Sequence, residues 1–162
     1  MEDIKLLRRI SLFKEFKVTE LMNVAMVGQS EDYAKGELIV KERSKGDSLY
    51  VIKSGQVRVS KLDSYGEPHV LAYLAAGEYF GEMCLVDRAP RSASVYADEP
   101  TTVLKIKRTD FQNLIAANKE IERKFYKSFS EVLCERLRVT NDNLTFSQEI
   151  NTMIQEIDEE DK

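Results

Sequence analysis

Apolar positions along the chain fall into three stretches with different periods. From Ile4 to Met26, Leu6, Leu7, Ile10, Phe13, Leu21, Val24 and Ala25 recur at mostly helical spacings, interrupted around Phe16–Thr19, and Thr19 marks a helix start. From about Tyr33 to Lys107 the chain is rich in β-branched and aromatic residues punctuated by Gly. Leu49–Ile52 predicts a short apolar strand, Gly55 a turn, and Val57–Val59 a strand of period two. Asp63–Pro68 predicts a hairpin tip before Val70–Leu74, and Ser94–Ala97 and Thr102–Ile106 two more strands around Asp98-Glu99-Pro100. Strands this short and numerous predict a sandwich or barrel. No internal repeat is visible.

From Thr109 onward the period is helical. Asp110, Phe111, Leu114 and Ile115 begin one helix, and Ile121, Phe125, Phe129, Val132/Leu133, Leu137 and Leu144 extend an apolar stripe at spacings of three and four. A stripe of that length needs a surface to cover it, either the protein's own sheet or a second subunit. The expectation is a homodimer through this C-terminal helix.

At 162 residues and 43% hydrophobic, the chain holds one core and one domain. A net charge of −4 excludes the Lys/Arg surplus by which dedicated nucleic-acid binders displace counterions, so no direct nucleic-acid binding is expected. The longest apolar run, Val70–Ala76, is far short of a membrane span, and the acidic start Met1-Glu2-Asp3 is unlike a signal peptide. Cys84 and Cys134 are isolated, as in the reducing cytoplasm, and with the single His69 they make no metal set. From Asn141 to Lys162 there are seven acids and one base, which predicts a separate acidic appendage.

The densest chemistry lies in Gly77-Glu78-Tyr79-Phe80-Gly81-Glu82-Met83-Cys84-Leu85, Val86-Asp87-Arg88-Ala89 and Pro90-Arg91-Ser92-Ala93-Ser94-Val95. Glu82, Arg91 and Ser92 supply a carboxylate, a guanidinium and a hydroxyl, beside Gly81 and small residues that let backbone N–H groups approach a ligand. Such a set suits a phosphorylated sugar. The planar fork of Arg91 takes an anionic phosphate, Ser92 donates one more bond, and Glu82 accepts from a sugar hydroxyl. A helical turn over Met83–Val86 would add free N–H groups. Without further context Cys84, Met83 and Leu85 read as packed core, His69 as exposed, and Thr140 and Asn141 equally as a helix end.

This segment resembles the phosphate-binding cassette of the cyclic nucleotide-binding domain family. Upstream, Gly36-Glu37-Leu38-Ile39 and Gly46-Asp47-Ser48-Leu49-Tyr50-Val51-Ile52-Lys53-Ser54-Gly55 are similar to the glycine-anchored turns of that family's β-roll, and the likeness runs from about Ile4 to Leu144. Arg43 departs from it, standing where many members have Gly.

The resemblance implies a double-stranded β-helix, or jelly-roll β-sandwich, with N-terminal helices and a long C-terminal helix. A β-roll at about 27–107 and a helical lid at 108–144 would form a domain over 1–144, followed by an acidic tail at 145–162. It further implies that Glu82 binds the ribose 2′-hydroxyl and Arg91 and Ser92 the phosphate, with backbone amides near Gly81, Met83 and Ala93 assisting and Val59 and Leu71 walling the base. Arg136-Leu137-Arg138-Val139-Thr140-Asn141 resembles the corresponding helix of bacterial catabolite activators, which puts Arg136, Thr140 and Asn141 near the adenine.

The expected function is a cytoplasmic cyclic nucleotide sensor that takes cAMP ahead of cGMP, moves its C-terminal helices and signals to a downstream protein. No enzyme activity is expected, since no nucleophile–base pair, metal set or acid pair is present. Two alternatives keep the fold: a transcription-regulator fragment lacking its helix-turn-helix, or a sensor of a different ligand.

Overall fold

The computed structural model describes the backbone of residues 1–160 and the side chains through Ile154. Helix α1 (Glu2–Arg8), a 3-10 turn (Ser11–Phe13) and helix α2 (Val18–Val27) precede eight strands: β1 (Gly28–Tyr33), β2 (Leu38–Val40), β3 (Ser48–Ser54), β4 (Gln56–Leu62), β5 (Pro68–Ala75), β6 (Tyr79–Phe80), β7 (Ser94–Ala97) and β8 (Thr101–Lys107). A second 3-10 turn, Glu82–Leu85, separates β6 from β7, and helices α3 (Arg108–Ala116) and α4 (Lys119–Glu160) follow β8. The strands form two antiparallel sheets ordered β1-β8-β3-β6 and β2-β7-β4-β5, a jelly-roll sandwich.

Strand β3 shows why the first sheet is apolar on both faces. Leu49 and Val51 join the helices in one core, with Leu104 and Ile106 of β8, Phe111, Phe125 and Phe129. Tyr50 and Ile52 point the other way, into a core between the sheets with Val40, Val57, Phe80, Val95 and Val103. The period-two pleat therefore serves two cores at once, and the sheet becomes the middle layer of three.

Several boundaries differ from the sequence expectations. Helix α2 starts at Val18, ahead of Thr19, because the Glu20 carboxylate accepts the Lys17 backbone N–H at 2.7 Å. Strand β1 carries no apolar alternation; an edge pairing with β8 creates it. Arg43 adopts φ 63°, the left-handed conformation a glycine takes more readily. Asn118 Oδ1 accepts from Glu120 N (3.0 Å) and Ile121 N (3.3 Å), so α4 begins with its own cap.

The expected division at 144/145 coincides with no break in the backbone. Residues 141–160 contain neither Gly nor Pro, and α4 runs through them to Glu160, so the acidic stretch is the distal end of the helix. Asp161 and Lys162 of the expected tail lie outside the described residues. The apolar stripe also splits. Ile121, Phe125 and Phe129 are buried in the helical core, whereas Leu133, Leu137 and Leu144 are exposed on another face. A buried ion pair anchors the helix to α2, with Lys124 Nζ 2.9 Å and 3.0 Å from the two Glu20 oxygens.

Candidate functional site

A cavity of about 390 Å³ opens between the inner face of β4–β5, the Glu82–Leu85 turn, the loop leading into β7 and the side of α4. Val40, Val59, Ala72, Leu74 and Val95 give it an apolar wall, and Glu82, Arg91, Ser92 and Arg136 supply its polar groups. The loop through Arg91 on one side of this space is fixed by backbone pairing with residues 43–45. Arg43 N donates to Arg91 O and Arg91 N to Ser44 O, both at 2.8 Å.

Arg91 lies along the cavity floor. Its Nη1 donates to Gly81 O (3.1 Å) and its Nη2 to Ser48 O (2.8 Å), with the Tyr50 ring 5.9 Å from Cζ. Two glycines make room for it. A Cβ at Gly46 would lie 2.8 Å from Arg91 Nε, and one at Gly81 would lie 2.5 Å from Nη1. Gly81 also has φ 79°, which turns the chain from β6 into the 3-10 turn. Among the described residues no carboxylate pairs with Arg91; its charge faces neutral carbonyls and a ring. A cation so placed beside an apolar wall is ready for an anion.

Glu82 is the opposite case. Its side chain is 5% exposed, and Arg136, reaching in from α4, donates Nη1 to Oε1 while its guanidinium stands over the Tyr79 ring at 5.7 Å. Tyr79 in turn shares a hydrogen bond of 2.9 Å with Ser11 Oγ in the first 3-10 turn. Cys84 is packed in the helical core, where burial pushes its thiol pKa up and disfavours the thiolate. Leu85 packs in the same core, whereas Met83 is half-exposed on the cavity rim. His69 is exposed beside Asp63 at 2.9 Å.

Gly81, Glu82, Met83, Arg91, Ser92, Ala93, Val59 and Arg136 therefore share one cavity. Leu71 does not line it. The pleat turns Ala72 and Leu74 inward, opposite Val59 and Val57, and a bulge beside Val59 leaves Leu71 59% exposed on the far side. Thr140 and Asn141 are also off the lining. They sit about one turn beyond Arg136 on the exposed part of α4, where Thr140 Oγ1 donates to Arg136 O at 2.8 Å. The contributions of Gly46, Ser48 O, Tyr50 and Tyr79 were not visible in the sequence, since each depends on strands distant along the chain. Only the spacing of Ala72 and Leu74 from Val57 and Val59 carried a usable signal, through hairpin register.

The cyclic nucleotide-binding domain profile matches residues 30–118. The catabolite activator protein of Thermus thermophilus superposes with a TM-score of 0.75 at 31% identity, covering 85% of this chain and 62% of that one. The cAMP-dependent protein kinase regulatory subunit of Debaryomyces hansenii is 35% identical over 115 residues, 71% of this chain and 23% of its own length. Human cGMP-dependent protein kinase 2 is 29% identical over 119 residues, 72% of this chain and 16% of its own. The chain thus spans about a quarter or less of the length of these kinase relatives.

Proposed function

The chain belongs to the cyclic nucleotide-binding domain family, and we propose that it is a cytoplasmic cAMP sensor that signals by moving its C-terminal helices. The observation that carries this reading is Arg91, a cation held by two backbone carbonyls with no carboxylate partner among the described residues, beside an apolar wall and the buried carboxylate of Glu82. In the proposed complex Arg91 and Ser92 take the cyclic phosphate, Glu82 accepts the ribose 2′-hydroxyl, and the base lies on Val40, Val59, Ala72 and Leu74. Gly81, Met83 and Ala93 bring backbone amides to the phosphate. The resemblance ties cGMP selectivity to Thr at the position of Ser92; Ser keeps the hydroxyl but is not that Thr, which supports cAMP ahead of cGMP.

Arg136 supplies the link to the helix. A sugar hydroxyl that bonds Glu82 acts on the same carboxylate that tethers α4, so filling the cavity changes the balance of forces on the helix. Thr140 and Asn141 reach the base only if α4 closes over it. A complete switch from 1:99 to 99:1 requires about 5.5 kcal/mol of differential affinity between the open and closed arrangements. The exposed Leu133, Leu137 and Leu144 face of α4 supports a homodimer through that helix, which sedimentation of the parent and of a Leu133→Ser/Leu137→Ser variant tests by loss of the dimer.

Among the described residues no helix is long and apolar enough to cross a membrane. The deciding experiment is calorimetric titration of the full chain with cAMP and cGMP, repeated with Arg91→Ala. The reading expects cAMP to bind more tightly than cGMP, to be recovered chemically unchanged, and to lose most of its affinity in the variant. Equal affinity of parent and variant refutes it.

A further inference from the structure

Arg136 is the last residue of α4 that shares a hydrogen bond, ion pair or cavity wall with the domain body among the described residues. The helix then continues from Leu137 to Glu160, roughly 36 Å at 1.5 Å per residue. This distal part keeps the register of the buried face. Val139, Phe146, Ile150 and Met153 continue the line of Phe125, Phe129 and Val132, yet they are 50%, 63%, 40% and 60% exposed. They lie roughly 150° around the helix from Leu137 and Leu144, so a dimer through those leucines leaves them uncovered. A strip of large apolar side chains on one face of a free helix is a docking surface awaiting a partner.

Charge decides what kind of partner fits. Arg138 is the last base of α4, and from Val139 to Glu160 the helix carries Asp142, Glu149, Glu156, Asp158, Glu159 and Glu160 with no Lys or Arg. Asp142 and Glu149, seven residues apart, flank the apolar strip along one edge. In a second copy laid antiparallel against this segment Asp142 would meet Glu149 with no base to compensate, and in a parallel one both acids would face the uncharged Ser147 and Ile154 and stay unpaired. We propose that the Val139–Met153 strip binds a basic amphipathic helix of another protein, whose apolar face covers Phe146, Ile150 and Met153 while its lysines or arginines pair with Asp142 and Glu149. The proposal does not depend on which ligand fills the cavity.

The test uses the full chain and three synthetic peptides of about 18 residues, read by fluorescence anisotropy. One is a Leu/Lys amphipathic helix, one the Leu/Glu equivalent, and one a Ser/Lys peptide of the same charge as the first. The Leu/Lys peptide is expected to bind, the other two at least about tenfold more weakly, with affinity falling as salt rises. Phe146→Ser/Ile150→Ser should weaken Leu/Lys binding at least about tenfold. Asp142→Lys/Glu149→Lys, which leaves the apolar strip intact, should weaken it similarly and strengthen binding of the Leu/Glu peptide. Absence of Leu/Lys binding, equal binding of Ser/Lys, or indifference to both variants overturns the proposal. So does sedimentation showing that Phe146→Ser/Ile150→Ser turns a dimer into a monomer, since a second copy would then occupy the strip.

Discussion

Replacing Gly46 with alanine places a methyl carbon 2.8 Å from Arg91 Nε, 3.0 Å from Cζ and 3.2 Å from Cδ. These separations are well inside the optimal contact distance of about 3.5–4.0 Å, so something must yield. The backbone has no reason to, because Gly46 is not among the positive-φ residues, and the obstructing atoms belong to a long side chain. Relief therefore comes from displacing the guanidinium, at the expense of its bonds to Ser48 O (2.8 Å) and Gly81 O (3.1 Å). A hydrogen bond from a charged donor contributes about 1.5–3 kcal/mol, so forfeiting one such contact to the phosphate weakens cAMP binding roughly 10- to 150-fold. Calorimetry on Gly46→Ala, Arg91→Ala and the double variant checks this, with thermal melting to confirm that each folds. If alanine acts only through Arg91, the double variant binds no more weakly than Arg91→Ala alone, a strong departure from additivity. Additive losses, or a Gly46→Ala affinity within about threefold of the parent, refute the reasoning.

Arg91→Lys should lose at least about tenfold in cAMP affinity, because an ammonium cannot span Ser48 O and Gly81 O while presenting a fork to phosphate; calorimetry reads it directly. For Glu82, 2′-deoxy-cAMP should bind the parent more weakly than cAMP by roughly 5- to 150-fold, and Glu82→Gln should shrink that gap; equal binding of both ligands by the parent removes Glu82 from the sugar site. At the α2–α4 anchor, burial raises the Glu20 pKa, but the Lys17 N–H and Lys124 outweigh it, and the net shift is downward. The stability this confers is fully present above the ordinary carboxylate pKa and is lost as pH falls through the lowered folded value. Lys124→Met should accordingly cost about 3 kcal/mol at neutral pH, roughly 6–12 °C in Tm, with the deficit shrinking below about pH 4. A deficit independent of pH would point to packing alone. Hydrogen exchange with and without cAMP should change protection in Gly81–Ala93 and across Ile121–Asn141, whereas a change confined to the first segment means a passive binder.

The sequence by itself determined what local chemistry determines. Leu49–Ile52, Val57–Val59 and the Asp63–Pro68 tip announce strands and a hairpin because strand period and turn residues are properties of a few neighbouring positions. Glu82, Arg91 and Ser92 likewise stand within one loop, so their joint presence was legible before any fold. Tertiary structure decided everything that depends on distant partners. The polar segment Gly28–Tyr33 is a strand only because β8 offers it a ladder, and one bulge beside Val59 chose Ala72 and Leu74 for the cavity over Leu71. The single apolar stripe of α4 became two faces, since residues three and four apart can sit on either side of the line along which the helix leaves the body. The slot for Arg91 and the tether of Glu82 to Arg136 join residues 45 and 54 positions apart. Such contacts have no sequence signature, because they arise only when packing closes loops whose ends do not otherwise meet.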